Sequence, residues 1–226
     1  MKKLLIGLTV ILIFTLGMYL TAADTFEDGT YTGYSQADDR SYVEAEVVIN
    51  DGKISDVNLT EFQDTGVAKG EDYQLDKFHE AMEVLPERFV EANDYDVDVY
   101  SGATGTSNKA MEAVEMALDK AKGITEFDGT FHGASDISER GGRGVAWVTV
   151  EEGTITDVDL KEISDIEDGE YKGEDYSLDE FHEAKEELPE RMIESNSYDV
   201  DTYSGATQSS ERWIEAVKDA LSKIGL

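Results

Sequence analysis

Two stretches of this chain carry the same chemically useful residues: Asp98-Val99-Tyr100-Ser101-Gly102-Ala103-Thr104, and Asp201-Thr202-Tyr203-Ser204-Gly205-Ala206-Thr207. Each sets hydroxyls and a glycine at the start of an amphipathic helical pattern. The first backbone N–H groups of a helix have no internal acceptor, and the positive end of the helix dipole lies there too, so such a turn can hold a phosphate. The pattern therefore points to a phosphate-bearing ligand, bound twice. Thr106-Ser107 and Ser209-Ser210 add hydroxyls that can cap the helix or bond an anion. A plain capping turn would explain Ser and Thr in one isolated copy, so the weight rests on the duplication.

The elements that must position these turns are also duplicated. After the first turn, Ala110, Met111, Val114, Ala117, Leu118 and Ala121 form an apolar stripe, matched after the second by Trp213, Ile214, Val217, Ala220, Leu221 and Ile224. Upstream, Val43, Ala45, Val47 and Ile49 alternate with other residues, Asp51-Gly52 turns the chain, and Ile54 to Leu59 returns as the second strand of a hairpin. Ala146, Val148 and Val150 repeat the inward face, with Glu152-Gly153 as the turn. Leu75, Phe78, Met82 and Leu85 recur at helical spacing, and Pro86 and Pro189 are placed to start a fresh helix.

Gly70-Glu71-Asp72-Tyr73, Phe78-His79-Glu80 and Leu85-Pro86-Glu87-Arg88 return as Gly173-Glu174-Asp175-Tyr176, Phe181-His182-Glu183 and Leu188-Pro189-Glu190-Arg191, all 103 positions apart (204 − 101 for the serines). Nearer the start, Asp28-Gly29-Thr30-Tyr31 matches Asp128-Gly129-Thr130-Phe131 at a slightly shorter spacing, and the copies differ most between 62–73 and 163–176. Units of about 100 residues are whole domains, too long for solenoid repeats. The expected organisation is a leader or anchor over 1–23, one domain over 25–123 and a second over 124–226. Strands followed by helices in each make the fold class α+β, an antiparallel sheet packed with helices.

Composition bounds the chemistry. Against 51 Asp and Glu stand only 19 Lys and Arg, and a formal charge of −32 repels nucleic-acid backbones. The absence of cysteine excludes disulfides, thiolate iron–sulfur clusters and c-type haem attachment. Any electron this protein carries must ride on something organic. Lys2 and Lys3 precede an apolar run from Leu4 to about Ala23, which reads as an export element with everything after it outside the cytoplasm. The run is long enough to span a bilayer, and Thr21-Ala22-Ala23 resembles a cleavage site, so a retained anchor and a cleaved signal both fit.

On these residues the chain resembles the FMN-binding domain family, found in the sodium-translocating NADH:quinone reductase, in the Rnf complex and, in tandem, in exported flavoproteins of Gram-positive bacteria. In that family the motif Asp-x-x-Ser/Thr-Gly-Ala-Thr/Ser marks where a flavin transferase esterifies FMN, through its phosphate, to the last hydroxyl. The resemblance implies Thr104 and Thr207 as acceptors of two covalent FMN groups, with Asp98, Ser101, Gly102 and Ala103, and Asp201, Ser204, Gly205 and Ala206, as the recognition segments. It further implies an extracytoplasmic electron carrier with no catalytic residue and no metal of its own. Its donor would be a membrane reductase or a quinone-linked enzyme, and its acceptor another extracytoplasmic protein. The alternative is a surface module that binds FMN or an anion without redox work or covalent attachment.

Several other residues have plainer explanations. Asp94-x-Asp96-x-Asp98 opens like a calcium loop, but Val99 stands where that loop needs glycine. His79 and His182 read as structural, Arg88 and Arg191 as helix-surface ion-pair partners, and Trp213 as core. Gly141-Gly142 reads as a turn or bulge. Asp64-Thr65-Gly66 resembles the family's Glu-Thr-x-Gly loop, whereas the second unit has Asp165-Ile166-Glu167-Asp168-Gly169, so the two flavins should sit in different surroundings.

Overall fold

The computed structural model describes residues 26–226; the leader or anchor expected over 1–23 lies outside them. The first unit runs β1 (Gly29–Tyr34), β2 (Ser41–Asn50), β3 (Lys53–Gln63), α1 (Asp76–Ala92) and α2 (Thr104–Ala121). The second repeats it as β4 (Gly129–Ala134), β5 (Arg143–Glu151), β6 (Thr154–Ile163), α3 (Asp179–Ser195) and α4 (Thr207–Ser222). Each unit is an antiparallel three-stranded sheet in sequence order with two helices upon it, the α+β class expected.

The hairpin turns are as the sequence predicts. Asp51 and Gly52 have φ of 53° and 70°, Glu152 and Gly153 of 51° and 72°, the paired positive values of the tight turn that matches strand twist. On the inner face of the first sheet Val43, Ala45, Val47 and Ile49 are buried against Ala110, Ala113, Val114 and Ala117 of α2. Strands β1 and β4 can approach the helices only because of one residue each. A Cβ on Gly33 would lie 2.1 Å from the Ala113 carbonyl oxygen, and one on Gly133 1.9 Å from that of Ala216.

One expectation is corrected. Pro86 and Pro189 start no new helix, because α1 and α3 run straight through them. A proline inside a helix loses one hydrogen bond at a cost of about 3 kcal/mol. Here Phe78, Ala81, Leu85 and Phe89 form one buried stripe that spans the proline, and breaking the helix would expose part of it. Each of these helices ends on a left-handed asparagine whose side chain does a second task. The Oδ1 of Asn93 accepts the Ile54 N–H at 2.8 Å, and that of Asn196 accepts the Ile155 N–H at 2.8 Å, tying helix end to hairpin.

The units meet along a buried seam. Lys120, at the end of α2, donates to the carbonyls of Thr32 (2.8 Å) and Lys223 (2.9 Å). Its counterpart Lys223 donates to the carbonyl of His132 (2.6 Å) and to Asp219 (3.1 Å). Desolvation lowers the pKa of both amines. Met116 of α2 is buried among residues of the second unit, and Tyr42 and Phe62 stack at 5.0 Å with His132 against Tyr42 at 5.1 Å.

Candidate functional site

Thr104 is the first residue of α2, exposed to solvent, and Thr207 holds the same place on α4. The residue before each is a buried alanine, Ala103 or Ala206, which cannot cap the helix, so neither helix start has a side-chain cap. Gly102 and Gly205 turn the chain into the helix with φ of 91° and 90°, and a Cβ there would press on Lys77 at 3.1 Å or Glu180 at 2.7 Å. Only glycine accepts both conditions without strain. The outcome is a helix N-terminus whose first N–H groups remain available, with a hydroxyl beside them.

The turn is rigid because its other polar groups are satisfied inward. Ser107 Oγ donates to the Ala103 carbonyl (2.9 Å) and accepts the Tyr100 N–H (2.9 Å); Ser210 does the same with Ala206 (2.9 Å) and Tyr203 (3.1 Å). These two serines are buried staples, while Thr106 lies on the wall of the first site and Ser209, its counterpart, is buried. Arg88 donates to the Asp98 carbonyl and Arg191 to the Asp201 carbonyl at 3.0 Å, while Tyr100 donates to Glu80 and Tyr203 to Glu183. Arg191 also pairs with Glu187 at 2.5 Å, the helix-surface ion pair anticipated for it. The Asp98, Asp201, Ser101 and Ser204 side chains are left pointing outward, and all four residues are exposed.

In front of Thr104 opens a depression of about 470 Å³, walled by Asp38, Ser41, Glu61, Asp64, Lys69 and Lys109 among others. Lys109 Nζ donates to the carbonyl and hydroxyl oxygens of Ser41 and pairs with Asp38 Oδ1 at 2.8 Å. Burial would raise the Asp38 pKa, but hydrogen bonds from Lys109, Arg40 and Ser41 and the Lys109 charge hold it below the ordinary carboxylate value. Deeper lies the pair Lys69–Glu61, 2.5 Å apart with side chains 9% and 3% exposed. The Lys69 ammonium also sits 4.5 Å from the Tyr73 ring centre.

The second unit repeats this pair and changes its surroundings. Glu162 Oε1 meets Lys172 at 2.8 Å and Arg212 at 2.5 Å. Arg212 is the positional equivalent of Lys109, yet it turns to the buried glutamate where Lys109 turns to Asp38. In both units the other glutamate oxygen, Oε2 of Glu61 and of Glu162, is buried without a partner. A buried charged oxygen without a donor is costly. The sequence reading missed these glutamate–lysine pairs; their recurrence in both copies was the signal that could have found them.

The histidines do structural work, as the sequence suggested. His79 and His182 bond the carbonyls of Tyr73 and Tyr176 at 2.7 Å and lie edge-on to Phe78 and Phe181. Trp213 is fully buried beside Phe181. Gly141, with φ of 82°, forms the turn before β5. Among the described residues no group of three acidic or histidine side chains could hold a metal ion.

The family model described as the FMN-binding domain matches residues 40–119 and 141–222, most of both units including both turns. The chain belongs to the FMN-binding domain family. It carries that domain twice, which makes it a flavin-binding protein. A solved structure, the CPE2226 protein from Clostridium perfringens, is similar at 25% identity over 45% of this chain and 93% of that one, with a TM-score of 0.38. No curated protein sequence matches.

The residues present fit a flavin mononucleotide. The uncapped helix start suits its phosphate, the depression gives its ring a place, and Glu61, which lines that depression, has a buried Oε2 with unused acceptor capacity.

Proposed function

We propose that this protein is an extracytoplasmic electron carrier holding two FMN groups esterified through phosphate to Thr104 and Thr207. One observation carries the reading: each threonine is an exposed hydroxyl on the first residue of an uncapped helix, twice in register. A phosphodiester keeps one negative charge, which the helix start stabilises by about 0.3–1 kcal/mol. The flavin supplies the one- and two-electron chemistry. The chain supplies position and electrostatics: Gly102 and Gly205 allow close backbone approach, Lys109 adds positive potential beside Thr104, and Glu61 and Glu162 offer their free oxygens. None of these groups needs to act as base or nucleophile.

The outward side chains of Asp98, Ser101, Asp201 and Ser204 are in the right state to be read by a flavin transferase. Electrons would arrive from a membrane reductase or quinone-linked donor and leave to an extracytoplasmic acceptor. The apolar run from Leu4 to Ala23 supports export and, if uncleaved, attachment to the membrane. Among the described residues no helix is long and apolar enough to cross a membrane.

The test is coexpression with a flavin transferase, followed by denaturation and intact-mass measurement. Thr104→Ala and Thr207→Ala should each lose one flavin and the double variant both, because alanine lacks the ester oxygen; Thr104→Ser should stay modified. Full covalent flavin on the double variant would overturn the acceptor assignment. Flavin that washes out of the unsubstituted protein on denaturation would favour the non-covalent binding module. For the carrier role, membrane vesicles with a reductase should pass electrons to a soluble acceptor more slowly when both flavins are missing. Equal flux would refute it.

A further inference from the structure

Two loops of the first unit, 38–41 and 63–68, face Thr104, and Asp38, Arg40, Ser41, Gln63 and Asp64 from them line the depression. The Asp64 N–H donates to the Arg40 carbonyl at 3.1 Å, so the loops are tied to each other. Four side chains of the second unit then hold both. Trp147 Nε1 donates to the Asp38 carbonyl at 2.9 Å, and His132 Nε2 lies 2.7 Å from the Asp64 carbonyl. The Tyr171 hydroxyl donates to Asp64 Oδ2 at 3.0 Å, and Arg143 Nη1 to the Gly66 carbonyl at 3.0 Å. Burial and then the Asp64 charge raise the Tyr171 pKa, so the phenol keeps the proton it donates. The loop is seated flush on the second unit, since a Cβ on Gly66 would come within 2.7 Å of the Ala134 methyl.

Both units close these loops with internal backbone bonds, in the first Asp38 N–H to the Ser41 carbonyl at 3.3 Å and Gly66 N–H to the Gln63 carbonyl at 2.9 Å, and the second unit has no more than the equivalents of these. Ser138 N–H bonds the Gly142 carbonyl at 2.9 Å, Ile166 N–H the Gly141 carbonyl at 2.9 Å, and Gly169 N–H the Asp165 carbonyl at 3.0 Å. Among the described residues no donor from the first unit reaches 138–142 or 164–169. The strand registers explain why. At the places of His132, Arg143, Trp147 and Tyr171 the first unit has Thr32, Tyr42, Glu46 and Ala68, and none of these side chains donates across the seam to those loops.

The geometry points to a one-way hydrogen-bond dependence between the units: the loops at the Thr104 site are held across the unit boundary by Trp147, Tyr171, His132 and Arg143 as positioning residues, whereas the corresponding loops of the second unit receive no donor from the first. This rests on the flavin reading above. It gives the two cofactors unlike walls, and it makes the second unit a support for the first unit's loops as well as a carrier in its own right.

The test uses the full chain with Trp147→Phe and Tyr171→Phe together, which remove two donors and keep two rings. It is made in a Thr207→Ala background, where only the first site takes flavin, and in a Thr104→Ala background, where only the second does. Amide exchange at 38–41 and 63–68 should quicken on the order of tenfold in the unflavinylated chain, with 138–142 unchanged. The visible circular dichroism and midpoint potential should change at the first site and hold at the second. Unchanged exchange in the first-unit loops, or equal changes at both sites, would overturn the dependence. If the double variant fails to fold, Tyr171→Phe alone removes a single hydroxyl and should show the same pattern more weakly. Absence of flavin from both backgrounds would remove the flavin reading, and the exchange rates alone would then decide the clamp.

Discussion

Lowering the pH should strike this protein first at His132, in the seam between the units. The residue is 2% exposed, with its ring stacked on Tyr42 and edge-on to Trp147 at 4.8 Å. Its Nε2 partner is the Asp64 carbonyl, which only accepts, so the neutral ring carries its proton on Nε2 and leaves Nδ1 buried and unpaired. A second proton must go to Nδ1. Burial, and then the Lys223 and Arg143 charges, outweigh the Asp64 hydrogen bond and Asp219, and push the pKa from 6.5 down to about 4. The unfolded chain therefore binds the proton more readily than the fold. Stability from this group is fully present above the unfolded value and is lost as pH falls toward the folded one. Between about pH 7 and about pH 5 the linkage amounts to about 2 kcal/mol. Urea unfolding followed by tryptophan fluorescence measures it: over that interval the unsubstituted protein should lose about 2 kcal/mol more than His132→Gln, which has no titrating ring. Parallel pH dependences for the two proteins would refute the argument.

Three further substitutions probe the frame around the turns. Gly33→Ala should destabilise by on the order of 2 kcal/mol or more, because its methyl meets helix backbone that cannot step aside, and chemical denaturation should show a lower midpoint. Ser107→Ala should cost about 1–2 kcal/mol in thermal unfolding, since it strips the Tyr100 N–H of its acceptor. Glu61→Gln should cost roughly 3 kcal/mol by leaving the Lys69 ammonium buried without a counter-charge. Pairing Glu61→Leu with Lys69→Met should recover most of that loss, and a double-mutant cycle would show no recovery if the pair were uncoupled.

The hairpins, the last helix of each unit and the two threonine turns were legible in the sequence because they follow from local rules. Alternation fixes a strand face, Asp-Gly fixes a tight turn, and an apolar stripe behind Ser-Gly-Ala-Thr fixes a helix and its start. Duplication multiplied each signal by two and singled out the candidate site. Local rules misread Pro86, where a stripe buried by tertiary packing outweighs the residue's own preference. They were silent on Glu61 and Lys69, which strand register and a loop bring together, and on the partnerless oxygen this leaves. They also missed the seam: Tyr42, His132, Trp147 and Lys223 are ordinary one at a time, and they matter only because the outer faces of two sheets and the end of α4, far apart in the chain, come together. Sequence repeats report what two units share, whereas the asymmetry that ties one site to its neighbour arises from residues that differ between them, in contacts that exist only once the chain has folded.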